Sequence, residues 1–170
     1  DGQKLYALGD YDKAIGHYEG ILDTKSNLMI DVEDVDVTVD EFILPVRVAA
    51  AYQLANSYNK LGLDKLLRVS FLRREKKEAE AEKRYEEALA DLNASLEYFA
   101  RISEDEEVDE RTRVMAQFQT LETNYKLQKF DQVIHEGETL LKKFPNSVYE
   151  TAAYYNIGWS YFELERYQEA

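Results

Sequence analysis

Closely spaced carboxylates are the nearest thing in this chain to a metal-binding set. Asp31, Glu33, Asp34, Asp36, Asp40 and Glu41 fall within residues 27–44. Oxygen-rich clusters of this kind suit calcium. A calcium loop, however, needs a glycine at its sixth position to turn sharply, and none stands here. The stretch therefore reads as an acidic loop, with no metal and no cofactor expected. Within it, residues 35–40 alternate apolar and polar at period two, as a half-buried strand does. An exposed strand edge there could recruit a partner strand. His17 and His135 are far apart and set among charges, which suits surface histidines better than an acid–base pair. The carboxylate neighbours Glu86/Glu87 and Glu106/Glu107 read as solvated charge. There is no Gly-rich phosphate loop, nucleophile elbow or His-Glu zinc helix. No catalytic residue is expected, and the segment reads as non-enzymatic.

The 170 residues carry 34 acids against 21 bases, a net charge of −13. A surface this acidic repels nucleic-acid phosphate and anionic lipid, so partners should be basic, apolar or neutral proteins or peptides. The same charge also keeps an elongated protein soluble. No apolar run is long enough to span a bilayer, so no direct membrane insertion is expected. Without cysteine there are no disulfides or thiolate metal sites, and the redox compartment stays open. Two prolines leave long helices unbroken, while 13 Tyr and 7 Phe supply bulk for helix interfaces.

The elements behind these residues repeat. Gly158, Tyr161, Phe162, Glu165, Tyr167 and Ala170 have the same spacing as Gly2, Leu5, Tyr6, Gly9, Tyr11 and Ala14. Recurrence at a fixed register marks a repeat protein. The last stretch predicts one helix up to Leu164, a charged turn, and a second helix from Tyr167. A small residue at Gly2 or Gly158 lets a partner helix approach, and bulky residues fill the groove beside it.

This small-and-aromatic spacing resembles the tetratricopeptide repeat, a family of antiparallel helix pairs of about 34 residues. The resemblance implies an all-α, right-handed solenoid of helical hairpins. Four units align: 1–26, 46–102 with an insert at 63–84, 113–145, and a truncated 151–170. In the second unit Leu54, Ala55, Tyr58 and Gly62 are in register, and helix B lies around 85–99. The third carries Leu121, Tyr125, Phe130, Val133, Leu140 and Pro145. Departures from the pattern are Val133 and Ser95 in place of Ala, and Gly137 in place of a large residue. In this register the chain begins inside helix A and stops early in helix B, which reads as a piece of a longer protein.

The insert at 63–84 has eight bases and five acids, a net of +3, so the remainder is −16. Its strong helix formers predict that helices A and B of the second unit extend into an elongated hairpin. The extension is either a solvated arm or a docking arm for an acidic partner. Residues 104–110 are expected to form an acidic loop between units.

In the family, helix A lines a concave groove. Carried over by register, the lining would comprise Tyr52, Gln53, Asn56, Asn59 and Lys60, then Phe118, Gln119, Glu122, Tyr125 and Lys126, then Tyr155, Asn156, Trp159, Phe162 and Glu163. An aromatic, amide-rich lining suits an extended or helical peptide with apolar anchors. The Lys/Arg set that chaperone-tail binders use is missing. Residues 144–149 and 153–162 are similar to repeats of bacterial envelope proteins, of the types found in the periplasmic Tol-Pal coordinator and the outer-membrane assembly lipoprotein. That likeness implies a non-enzymatic scaffold in the bacterial periplasm or at the outer membrane, with the cytoplasm as the alternative. Two further readings stand beside it: a self-assembling repeat protein that forms homo-oligomers, and an accessory domain of a larger enzyme or sensor.

Overall fold

Both prolines sit where a helix has to begin or end. Pro45 closes a strand and caps the N-terminus of a 29-residue helix, and Pro145 follows a helix C-terminus. Proline lacks the N–H that a helix interior needs, so these positions cost nothing in hydrogen bonding. The computed structural model describes residues 1–23, 36–39 and 42–169. In chain order the elements are α1 (Gly2–Ala7), α2 (Tyr11–Asp23), β1 (Asp36–Val39), β2 (Phe42–Pro45), α3 (Val46–Arg74), α4 (Glu78–Glu104), α5 (Glu110–Lys126), α6 (Phe130–Lys143) and α7 (Glu150–Glu163). Helix dominates, as expected.

The all-α expectation holds for the bulk of the described residues, to which one short β-hairpin is added. β1 and β2 form an antiparallel ladder with Val37 opposite Leu44 and Thr38 opposite Ile43, and both strands contact α3. The alternation at 35–40 foretold β1. Its partner β2 is a continuous apolar run, which periodicity alone does not assign to strand or helix. Of the six carboxylates of the acidic loop, only Asp36 lies in the described part; Asp31, Glu33, Asp34, Asp40 and Glu41 lie outside it.

A single corner geometry recurs. At the ends of α1, α3, α5 and α7 one residue turns left-handed: Gly9 at φ 77°, Lys76 at 59°, Gln128 at 56° and Glu165 at 58°. Each corner is closed by the same two backbone bonds. Gly9 N–H donates to Tyr6 O (3.0 Å) and Asp10 N–H to Leu5 O (3.0 Å); Gln128 N–H donates to Tyr125 O (2.9 Å) and Lys129 N–H to Asn124 O (3.0 Å). Lys76/Lys77 and Glu165/Arg166 repeat the pair on Arg73/Leu72 and Phe162/Tyr161. This is the Schellman pattern, which satisfies carbonyls that the helix end leaves open. Three of the corners add an aromatic pair five residues apart, meeting edge to face: Tyr6–Tyr11 at 5.4 Å and 62°, Tyr125–Phe130 at 5.9 Å and 69°, Phe162–Tyr167 at 5.5 Å and 61°.

The chain divides into two compact units, Asp1–Tyr98 and Phe99–Ala170. In the first, Ala14, Ile15 and Tyr18 of α2 pack with Ala50 and Leu54 of α3, and Leu5, Tyr6, Tyr58 and Tyr98 close the edges. A methyl group added at Gly2 would stand 2.8 Å from the Tyr18 ring, so the small residue sets how closely α1 meets α2. α3 and the first part of α4 form an antiparallel hairpin. At Gly62 an added Cβ would lie 2.6 Å from Leu92 Cγ and 3.0 Å from Ala88 O. Farther along, Val69 and Leu72 pack with Ala81 and Tyr85, and Lys65 pairs with Asp91 at 2.6 Å. In the second unit Leu121, Val133, Leu140 and Ala153 form the core, edged by Phe118, Tyr125, Leu141 and Tyr149. Asp109 caps α5 by accepting from Thr112 N–H at 3.0 Å.

The helix expected from Tyr167 is not seen. Residues 167–169 are a turn, with Glu169 N–H donating to Arg166 O at 3.1 Å, and Ala170 lies outside the described part.

Candidate functional site

Helix α7 packs one face against α6 and α5 and leaves the other open. Its inward face is set by Ala153, fully buried, and by Ile157, whose side chain lies against Gly137 of α6. Residues two, five and nine positions from Ala153 or Ile157 fall on the far side of a 3.6-residue helix. These are aromatic. Tyr155 is 67% exposed, Trp159 41% and Phe162 51%. Spaced four and three apart, their rings run along the helix in near-parallel stacks: Tyr155–Trp159 at 6.4 Å and 12°, Trp159–Phe162 at 5.3 Å and 27°. Tyr167, also exposed, extends the row by its edge contact with Phe162.

The end of α5 joins this row. Tyr125 is half-buried, and its phenol is pushed above the usual tyrosine range by burial and by the neighbouring Glu163 carboxylate and Tyr155. Trp159 lies within hydrogen-bonding reach of it and acts the other way. Tyr125, Lys126, Gln128, Phe130 and Glu163 line a cleft of about 340 Å³. Lys126 is exposed and reaches Glu122 at 3.9 Å. The result is a strip of aromatic surface with single charges of both signs beside it.

The expected groove residues thus separate. Tyr125, Lys126, Tyr155, Trp159, Phe162 and Glu163 come together and remain accessible. Phe118, Gln119 and Glu122 are half-buried, and Phe118 is held by stacking on Tyr149 at 4.5 Å and 17°. Asn156 is a correction: it is buried, and its amide Nδ2 donates to Ala152 O at 2.8 Å within its own helix. Tyr52, Gln53 and Asn59 are corrections too. All three are buried in the first unit, where α2, α4, β1 and β2 all contact α3. A helix contacted on so many sides has little surface left for a groove. Asn56 is half-buried, and Lys60 alone of that set is exposed. Sequence reasoning missed Gln128, which takes the left-handed corner position, and treated Phe130 and Tyr167 as packing residues only. The recurrence of Tyr6/Tyr11 at 125/130 and 162/167 was the signal available.

No family model, curated protein or solved structure matches the chain.

His17 and His135 are both exposed, on α2 and α6. Among the described residues, no group of three or more His, Asp or Glu side chains is placed to hold a metal ion. No helix among them is long and apolar enough to cross a membrane.

Proposed function

We propose that this chain is a tetratricopeptide-like interaction segment that holds a partner protein or peptide on the aromatic strip of α7 and the adjoining end of α5. The observation that carries this reading is the exposed stack Tyr155–Trp159–Phe162. Large aromatic groups are costly to leave in water, yet they give a partner a broad, rigid contact at small entropic cost. The four repeated helix corners support the family assignment. The partner is a segment with apolar anchors and basic flanks, since Glu122 and Glu163 edge the strip and the chain as a whole is strongly acidic. The role is that of a non-enzymatic scaffold, and the likeness of residues 144–149 and 153–162 to envelope repeats supports a bacterial envelope complex as its setting.

Trp159 is the chain's sole tryptophan, so occupancy of the strip is directly readable. A peptide array of apolar-anchored basic segments should yield binders that shift Trp159 emission. Replacing Tyr155 and Phe162 together by Ala should weaken them by about tenfold to a hundredfold, as loss of aromatic anchors does elsewhere. Binders indifferent to that double change would remove the strip from the interaction.

A further inference from the structure

The α3–α4 hairpin carries a second surface, independent of the aromatic strip. Beyond the close crossing at Gly62, α3 continues for twelve residues to Arg74, about 18 Å of helix. The inward side of this arm is filled by Val69, Leu72, Ala81 and Tyr85. Its outward side exposes two large apolar residues four apart, Leu67 at 60% and Phe71 at 46%. Basic groups surround them. Arg74 lies over the Phe71 ring at 5.8 Å, and Arg68 is exposed beside Leu67. Arg68, Lys76 and Lys83 enter no ion pair among the described residues, whereas Arg73, Lys77 and Arg84 are matched to Glu82, Glu75 and Glu87. Solvation alone does not account for a helix face with Leu and Phe at its centre and arginines at its edges.

The complementary surface lies in the same sequence. The stretch from the last residue of α4 to the first of α5 presents Glu104, Asp105, Glu106, Glu107, Asp109 and Glu110, all exposed, around a single buried residue, Val108. The arm segment 63–84 is +3 and everything else sums to −16. We propose that the arm of one copy docks onto the carboxylate loop at 104–110 of a second copy, with Arg68 and Arg74 meeting its carboxylates and Leu67 and Phe71 covered by the methylene stems of its glutamates. Charge complementarity selects this occupant. Two arms facing each other would set like charges together, and an anionic lipid surface would be opposed by the chain's net charge of −13. The contact joins different patches on the two copies, so it is heterologous, and it is small enough to be weak.

Sedimentation velocity on the full chain tests it. From about 5 to about 500 µM, the range where small interfaces dissociate, the weight-average sedimentation coefficient should rise with concentration. The rise should be smaller at high salt. Arg68→Glu with Arg74→Glu should abolish the rise, as should Glu106→Lys with Glu107→Lys. Mixing these two variants should restore it, because the intact arm of the second then meets the intact loop of the first. All four positions are solvent-facing, so helical circular dichroism should match the parent. Leu67→Ser with Phe71→Ser should also flatten the rise, and an unchanged rise in that variant overturns the arm contact. A monomer at every concentration overturns the proposal. So does a mixture that fails to complement, or binding of phosphatidylglycerol vesicles that disappears with the arginine changes.

Discussion

Tyr58 shows how one side chain can tie two helices. Its hydroxyl donates to Glu19 Oε1 of α2 at 2.7 Å, and its ring stacks on Tyr98 at 6.3 Å and 10°. Burial, then the Glu19 hydrogen bond and charge, hold its phenol above the ordinary range. Tyr18 is pushed up to about 12, by burial first and Tyr6 second. Both shifts favour the protonated form in the folded chain. Their stability is complete below the unfolded value near 10 and is lost as pH climbs through the folded values. Urea unfolding midpoints should therefore hold steady from pH 7 to about 9.5 and fall between about 10 and 12. Tyr58→Phe should cost roughly 1–2 kcal/mol at pH 7, for the lost bond to a charged acceptor, and should make the alkaline fall shallower. An unchanged alkaline profile in that variant would assign the fall to other groups.

Gln128 gives the opposite case, a residue its position does not suit. At φ 56° it occupies the left-handed region, where a Cβ costs about 1–2 kcal/mol and glycine is the usual tenant. The equivalent corner after α1 has Gly9. Gln128→Gly should raise stability by up to about 1 kcal/mol in thermal or urea denaturation, since the corner bonds are backbone bonds and survive the change. Destabilisation would mean that the Gln128 side chain holds the cleft beside Tyr125.

At the scale of elements, helix pairs are spaced by what is missing at their crossings. Gly137 looked in the sequence like a loss of bulk on α6. The packing shows an accommodation: an added Cβ would sit 2.6 Å from Ile157 Cγ1 and 3.2 Å from Leu121 Cδ1. The close crossing seats Ile157 of α7 against α6, and the aromatic strip lies on the opposite face of α7. Gly137→Ala should cost about 1–3 kcal/mol by overpacking, read as a lower urea midpoint of Trp159 fluorescence. A neutral result would imply that Ile157 rotates away freely. The long hairpin depends on Gly62 in the same way, with a backbone carbonyl among the atoms a methyl would meet.

For the molecule as a whole, the charge of −13 is a standing self-repulsion that the compact state has to bear. The thermal midpoint should rise between about 20 and about 300 mM sodium chloride as the Debye length shortens. A fall would mean that ion pairs such as Lys65–Asp91 outweigh the general repulsion. Because the chain forms two compact units, Trp159 reports on the second one only. Comparing its unfolding curve with that from circular dichroism would show whether both units unfold together.

The amino-acid sequence by itself determined the local features. The helices follow from apolar spacing, the corners from the recurrence of 6/11 at 125/130 and 162/167, and the elongated hairpin from an unbroken run of helix formers after Gly62. Each of these depends on residues within a few positions of one another, so it can be read without knowing what lies nearby in space. Tertiary structure decided which faces stay open. Register treats Tyr52, Asn156 and Trp159 alike, as lining residues, yet only Trp159 is exposed. It also paired β2 with β1 and gave Gly137 a purpose. Burial depends on every neighbour that packs against an element, and no single helix carries that information.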